Sequence, residues 1–301
     1  MSTAVAIYRK PSFSPGVHRH NDAAILTSTL AGLARLGWQV GRFGEERIER
    51  GEPLPETDVY LNMCQGAEAS ERLLAFEEEG AGLIVNGPAS VLACHRVQLV
   101  ARLAGSGVPF AASRIVFPGS DRAPLRHWLD AQPGAVDRIW LKRGDVHAEG
   151  PDDVRPVRRA ALDAALGGFF RRRIPSVVVQ RHLEGPLVKF YGIGAGTWFR
   201  WFAAEGSALG APLDEERLRA AAFAAASRLG LEVFGGDAIV VAPDQPVLID
   251  VNDWPSFARF REEAATVIAR YVHRAHASRG APRPLSEPLA CAGGARGVRA
   301  P

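Results

Sequence analysis

A chain of 301 residues, 47% of them hydrophobic, is long enough for more than one structural unit, each with a sizeable core. Its net charge of +3 implies no nucleic-acid partner, and the opening MSTAVAIYRK lacks the basic-then-apolar order of a secretory signal. Cys64, Cys94 and Cys291 are far apart and show no CxxC spacing, and no apolar run nears the ~20 residues of a membrane span. The expectation is a cytoplasmic protein without disulfide framework, zinc site or membrane contact.

In chain order, residues 4–8 form an apolar strand, followed by a loop and a helix over 22–36 with Asn21 or Asp22 as N-cap and Gly37 as stop. Strands at 38–43, 58–63 and 82–85 and a helix over 69–79 continue the alternation, which predicts a small, mostly parallel α/β sheet. Asn86-Gly87-Pro88 opens the next section, with a helix over 89–103. Strands follow at 112–117 and 139–142 with a helix at 124–131 between them, then a loop over 143–150 and a helix over 153–170. Residues 176–182 and 187–193 are strands around the turn Glu184-Gly185-Pro186, and 197–202 is another. An Ala-rich helix spans 214–229, a strand hairpin 235–253, and a last helix 261–276. From residue 278 the composition turns to Pro, Gly, Arg and Ala without periodicity, the pattern of a disordered tail.

The hairpin carries hard oxygen donors. Asp237 leads its first apolar run; Asp250 and Asn252, two apart on the second, point to the same face. Pairing the runs across the Pro243–Pro246 turn could bring Asp237 onto that face too, a set suited to Mg²⁺. Two ordinary strands with polar ends would also read this way. Lysine usage adds a second signal: Lys10, Lys142 and Lys189 are the only lysines in an Arg-rich chain. The last two sit inside apolar strands, where a compact point charge suits a phosphate oxygen differently from a planar guanidinium.

A leading Asp, an apolar strand, then Asp-x-Asn followed by Pro resembles the metal-binding end of the ATP-grasp superfamily, and the feature order from Asn86 to Tyr271 is similar. The resemblance implies an ATP-grasp architecture: residues 1–86 as an N-terminal parallel α/β domain on the substrate side, and ATP held between two antiparallel-sheet lobes, 87–185 and 186–277, ahead of the tail 278–301. It implies ATP with Mg²⁺, or Mn²⁺ in its place, the metal lying on Asp237, Asp250 and Asn252. Arg96 stands where relatives carry a nucleotide-contacting lysine, and Lys142 where a lysine meets the α- and β-phosphates. Val177-Val178-Val179-Gln180-Arg181-His182-Leu183 is similar to the adenine hinge, with Gln180 on the amino group, the backbone of Arg181 to Leu183 on the base edge and Glu184 on the ribose. Lys189 and Arg200 correspond to cations facing the γ-phosphate and acceptor, and His147 in the loop after Lys142 is a candidate contact to the transferring phosphate or the acceptor.

Competing motifs fail. There is no GxxxxGK[ST], protein-kinase motifs are absent, and Gly192-Ile193-Gly194-Ala195-Gly196 precedes a strand and reads as a hairpin turn. His18-Arg19-His20 lacks a third clustered metal ligand, and acceptor contact suits that loop better. The resulting expectation is attack on the γ-phosphate by an acceptor oxygen of a small molecule. A carboxylate acceptor gives an acyl phosphate and then an amide, the commoner outcome in the superfamily. The alternatives are a hydroxyl acceptor, as in the similar inositol-polyphosphate kinases, and a nucleotide-binding protein without catalysis.

Overall fold

Four short strands, β1 (Thr3–Tyr8), β2 (Gln39–Gly44), β3 (Val59–Asn62) and β4 (Leu83–Val85), pair in parallel in the order β2-β1-β3-β4. The computed structural model describes residues 1–13, 18–134, 137–146 and 150–279. The connections carry α1 (His18–Arg35), α2 (Glu45–Glu49) and α3 (Ala67–Glu78). Helix α1 already includes His18, so Asn21 and Asp22 lie inside it rather than capping it. Gly37 does take the left-handed conformation (φ 84°) that ends the helix and turns the chain into β2.

The expected single helix over 89–103 is two, α4 (Pro88–Ala93) and α5 (Arg96–Leu103), broken at Cys94 and His95. His95 Nε2 meets the Gln65 carbonyl at 2.9 Å, a contact that fixes the break against the first sheet. The second sheet contains β5 (Ser113–Val116), β6 (Arg138–Arg143), β7 (Val154–Arg158) and β8 (Val177–Arg181), antiparallel in the order β5-β8-β6-β7. Helices α6 (Ala123–Asp130) and α7 (Leu162–Arg171) cover one face, where Leu125, Leu129, Leu166 and Phe169 pack on Ile139, Leu141, Val177 and Val179. The expected helix over 153–170 is thus corrected to a strand followed by a shorter helix. Pro156 cannot serve a helix interior, and on β7, the edge strand, its missing N–H costs no ladder bond.

The third sheet, β9 (Leu187–Ile193), β10 (Trp198–Ala203), β11 (Val233–Ala242) and β12 (Gln245–Asp253), is antiparallel in the order β10-β9-β11-β12. Helix α8 (Glu215–Leu229) is capped by the Asp214 carboxylate, which accepts from Arg217 N, and ends at left-handed Gly230. Its Ala-rich face packs with Phe190, Phe199, Phe234 and Leu248 on one side of the sheet. Leu99 and Leu103 of α5 join that same core, although sequence order assigns them to the central lobe. Helix α9 (Arg261–Arg279) runs past the expected tail boundary at 278 and packs along α1 of the first unit, so it bridges the two ends of the chain. Residues 280–301 lie outside the described residues.

The α1–α9 seam is close enough to be sensitive to a single methyl. A Cβ built at Gly32 would lie 2.9 Å from the Ala269 Cβ. Gly32→Val should therefore overpack the seam and destabilise the protein by about 1–3 kcal/mol, despite removing a helix glycine. Urea denaturation of the two proteins checks this; an unchanged midpoint would show that the helices separate freely.

Candidate active site

The register of the third sheet places its charged side chains on one face. Lys189 pairs with Asp237 and Asp237 with Asp250, in line across β9, β11 and β12. One step along, Arg200 pairs with Tyr191, Tyr191 with Gly235 and Gly235 with Asn252. Because side chains alternate along each strand, Lys189, Arg200, Asp237, Asp250 and Asn252 share this face, opposite α8. Two glycines make the approach possible: a Cβ at Gly235 would lie 2.8 Å from the Tyr191 ring, and one at Gly236 2.4 Å from the Asp250 carbonyl.

The second sheet turns its uncovered face toward this array. Lys142 Nζ donates to the Ile249 carbonyl at 2.8 Å, and Gln180 Nε2 to the same oxygen at 3.3 Å. Ile249 is the extra residue of a β-bulge: the register jumps from Asp237↔Asp250 to Ala238↔Leu248, leaving it unpaired with its carbonyl free for the other sheet. Further bonds join the units, from Ala111 N to Leu248 O and from Leu248 N to Pro109 O, both 2.8 Å. Arg96, at the start of α5, is buried with Nη2 3.8 Å from Asp250 Oδ2, while Nη1 donates to the Arg143 and Val146 carbonyls.

Three cations and two carboxylates thus converge. Lys189 Nζ donates to Asp237 Oδ1 at 2.7 Å with the lysine side chain 42% exposed, so this ammonium has an open side. Lys142 is 6% exposed, and burial pushes its ammonium down to about 8; Asp250 opposes that shift and Arg96 adds to it. Arg200 is set apart from the three, held by Glu263 of α9 and the Phe199 carbonyl, with its guanidinium over the Trp198 ring.

Farther along the same interface a cleft of about 830 Å³ is lined by Phe110, Ala112, Arg138, Arg181, His182, Leu183, Glu184 and Val247 among others. Residues 181–184, expected as the adenine hinge, therefore face an open space, at the end of β6 that lies four residues, roughly 13 Å, from Lys142. Within it, Trp140 Nε1 donates to His182 Nδ1 at 3.0 Å, which leaves the ring proton on Nε2, 3.0 Å from Glu184 Oε1. Gln180 faces β12 instead, and the Arg181 N–H is already bonded to the Ala112 carbonyl at 2.9 Å. His147 lies outside the described residues.

Sequence reasoning missed the parts that hold this site in place. Asn86 accepts from Glu232 N and Val233 N, both at 2.8 Å, and returns a bond to the Val233 carbonyl, fixing the start of β11 to the first unit. Trp254, fully buried just past β12, donates to the Val85 carbonyl at 3.1 Å. Glu45, also buried, accepts from the N–H groups of Lys10, Gln65 and Gly66; burial still pushes its carboxyl above the usual range, and these bonds oppose that shift only in part. Only the Asn86-Gly87-Pro88 turn gave any hint of these, as a junction.

No family model matches the chain, and no curated protein does. Solved structures do. The D-alanine–D-alanine ligase of Coxiella burnetii is 10% identical with a TM-score of 0.69, over 93% of this chain and 97% of that one. The corresponding ligase of Bacillus anthracis, solved with ATP, is 12% identical at TM-score 0.69, over 93% and 100%. A RimK domain ATP-grasp protein from Sphaerobacter thermophilus is 20% identical at TM-score 0.63, over 90% and 99%. The chain has the ATP-grasp fold. The first sheet with its helices and the two facing antiparallel sheets are the α/β arrangement that the resemblance implied. No described helix is long and apolar enough to cross a membrane.

The depressed Lys142 ammonium has a consequence for the protein without ligand or metal. Between pH 8 and the ordinary lysine value near ~10.4 the unfolded chain binds this proton and the folded chain releases it. More protons on the unfolded state means that stability from this group rises with pH in that window. Urea unfolding at pH 7.5 and ~9.5 should therefore show wild type gaining on Lys142→Met as pH rises; a constant gap would mean that Lys142 keeps an ordinary pKa.

Proposed function

We propose that this chain is a cytoplasmic, ATP- and Mg²⁺-dependent ligase that activates a small-molecule carboxylate as an acyl phosphate and joins it to an amine. The observation that carries the reading is the convergence of Arg96, Lys142 and Lys189 with Asp237 and Asp250 at the meeting of the two antiparallel sheets. The ATP-grasp fold and its likeness to solved ligases support it.

The donor set fits Mg²⁺. Asp237, Asp250 and Asn252 would hold it through few protein oxygens, and among the described residues no cluster of three His, Cys, Asp or Glu offers an all-protein cage. Mn²⁺ accepts similar ligands. When bound, the metal neutralises phosphate charge and polarises the transferring group. The protein's own part is positioning and charge. Arg181 to Glu184 line the space for the base and ribose, with Gln180 beside them. Arg96 and Lys142 meet the phosphate chain from two elements, and Lys189, with its open side, meets the phosphoryl group in transfer. Arg200 and His147 are assigned to the acceptor end. Transfer through a loose transition state depends chiefly on such placement of cations.

Incubation with ATP and Mg²⁺ over pooled acids, amines and polyols, read by phosphorus NMR, tests the reading. ADP with inorganic phosphate, formed only when an acid and an amine are both present, is expected. A new phosphate ester would replace it with the kinase reading, and absence of turnover would leave nucleotide binding alone.

Asp250→Asn keeps the shape and removes a charge. It should abolish Mg²⁺-dependent turnover while leaving the circular dichroism spectrum unchanged; wild-type rates with ordinary Mg²⁺ dependence would remove Asp250 from the metal set. Lys→Arg at position 142 or 189 keeps the charge and changes its shape. Each should weaken ATP binding or turnover at least about tenfold, or about 1.4 kcal/mol, because a planar fork is misplaced against phosphate in a confined site. Calorimetric titration and steady-state rates decide it, wild-type values in both variants making these lysines incidental.

A further inference from the structure

Where β9 turns into β10, the turn meets α8 and α9 around a pocket of about 590 Å³. Gly194, Gly196, Arg219, Phe223, Glu232 and Tyr271 are among the residues that line it. The Glu232 carbonyl accepts from Gly194 N at 2.7 Å, which ties the approach to β11 to the turn. Gly194 is left-handed (φ 62°), and a Cβ there would lie 3.0 Å from the Tyr271 ring, so the turn rests directly on α9.

The hydrogen-bonding capacity left in this pocket is of one kind. Tyr271 Oη donates its proton to Glu232 Oε1 at 2.5 Å, so the phenol oxygen has lone pairs to offer and no proton. The second Glu232 oxygen accepts from no group among the described residues. Arg219, the cation in the wall, is already engaged. Its Nη2 donates to the Gly196 carbonyl at 2.9 Å, Nη1 lies 3.8 Å from Glu216 Oε1, and the guanidinium stands 5.8 Å from the centre of the Phe223 ring. Burial pushes the Glu232 carboxyl above its usual range; the Tyr271 bond and the charge of Arg279 oppose that shift, and Glu77 adds to it. An anion would meet Glu232, and a neutral hydroxyl would serve one acceptor and leave the charge unmatched. A positively charged N–H donor answers both demands. Ala195, Phe223 and Leu231 suit a hydrocarbon body beside it, and the aromatic surface of Phe223 and Tyr271 attracts a cation.

We propose that this pocket binds a small primary amine as its ammonium ion, with the nitrogen on Glu232 and Tyr271 Oη and the hydrocarbon body against Phe223 and Leu231. Gly194 lies five residues past Lys189, roughly 17 Å along an extended strand, so the pocket is at the far end of the sheet from the carboxylate-bearing centre. An amine held here is separate from any amine that the ligase reading would join, and its binding does not rest on that reading.

Calorimetric titration of the full chain without nucleotide tests the site, with butylamine and benzylamine at neutral pH as probes. Methylammonium supplies the charge without the body, benzyl alcohol the body without the charge, and benzoate the opposite charge. At least one of the two amines should bind saturably, tighter than every control by about tenfold or more. Glu232→Gln removes the charge and should weaken that binding at least about tenfold. Ser227→Trp, at an exposed position in the pocket lining, should fill the space and lose the binding with an unchanged melting temperature. If Glu232→Gln lowers the melting temperature, Ser227→Trp decides alone. No saturable binding, benzyl alcohol matching the amines, or wild-type affinity in a folded variant overturns the assignment. The two readings fail separately. Amine binding that is lost in the variants, without any ATP turnover, counts against the ligase and for the pocket, whereas turnover on acids and amines without that binding rejects the pocket alone.

Discussion

Charges held between two apolar sheets are tolerable only while each is offset, and that requirement organises the centre of this protein. Lys189 sits on Asp237, Arg96 near Asp250, and Lys142 on a backbone carbonyl with Asp250 close by. Desolvation of such groups commonly exceeds the Coulombic gain, so the array is a poor device for stability. Its value for the proposed function lies in the fixed placement of the charges. The carbonyl of Ile249 is central to this because the bulge frees it from the β11–β12 ladder and gives it to Lys142 and Gln180 of the other sheet. Direct bonds across the interface thereby set the distance between the lobes.

The first unit serves the same end from outside. Asn86 and Trp254 tie β4 and its exit to β11 and to the turn after β12, so the two strands bearing the carboxylates are anchored beyond their own sheet. Helix α9 closes the circuit by packing on α1 while Glu263 holds Arg200 and Trp198 of β10. Placement within fractions of an ångström is what phosphoryl transfer asks of a protein, and a site braced from three units can supply it.

The fold and the centre of the site were legible in the sequence for identifiable reasons. Asp250-x-Asn252 shares a face by the period of a strand alone, and Lys142 and Lys189 stand out because arginine fills nearly every other basic position. The parallel first sheet followed from alternating strands and helices. What escaped depends on partners distant in sequence. The bulge at Ile249 is a matter of register between strands, and Asn86 acquires its meaning only when residues 147 positions away come beside it. The helix expected over 153–170 ran through Pro156, and the edge strand found there is defined by pairing with β6. The Arg9–Asp253 approach, joining the first strand to the end of the last, carries no local pattern at all.

The internal bonds of the two lysines bear on the proposed nucleotide site. Lys142 and Lys189 are each engaged within the protein, one with Ile249 and one with Asp237, and both are the groups assigned to phosphate. On the proposed reading a phosphate oxygen would compete with these internal acceptors, and as Lys189 turned to phosphate Asp237 would become available to a metal. The exchange is cheap for Lys189, which is substantially exposed, and costlier for Lys142, which is buried and whose carbonyl acceptor would lose a charged donor. Gln180 reduces that cost by remaining on the same Ile249 oxygen, so the carbonyl keeps a partner after Lys142 departs. Gln180 thus belongs to the lobe interface, a place that its position beside the expected hinge did not disclose.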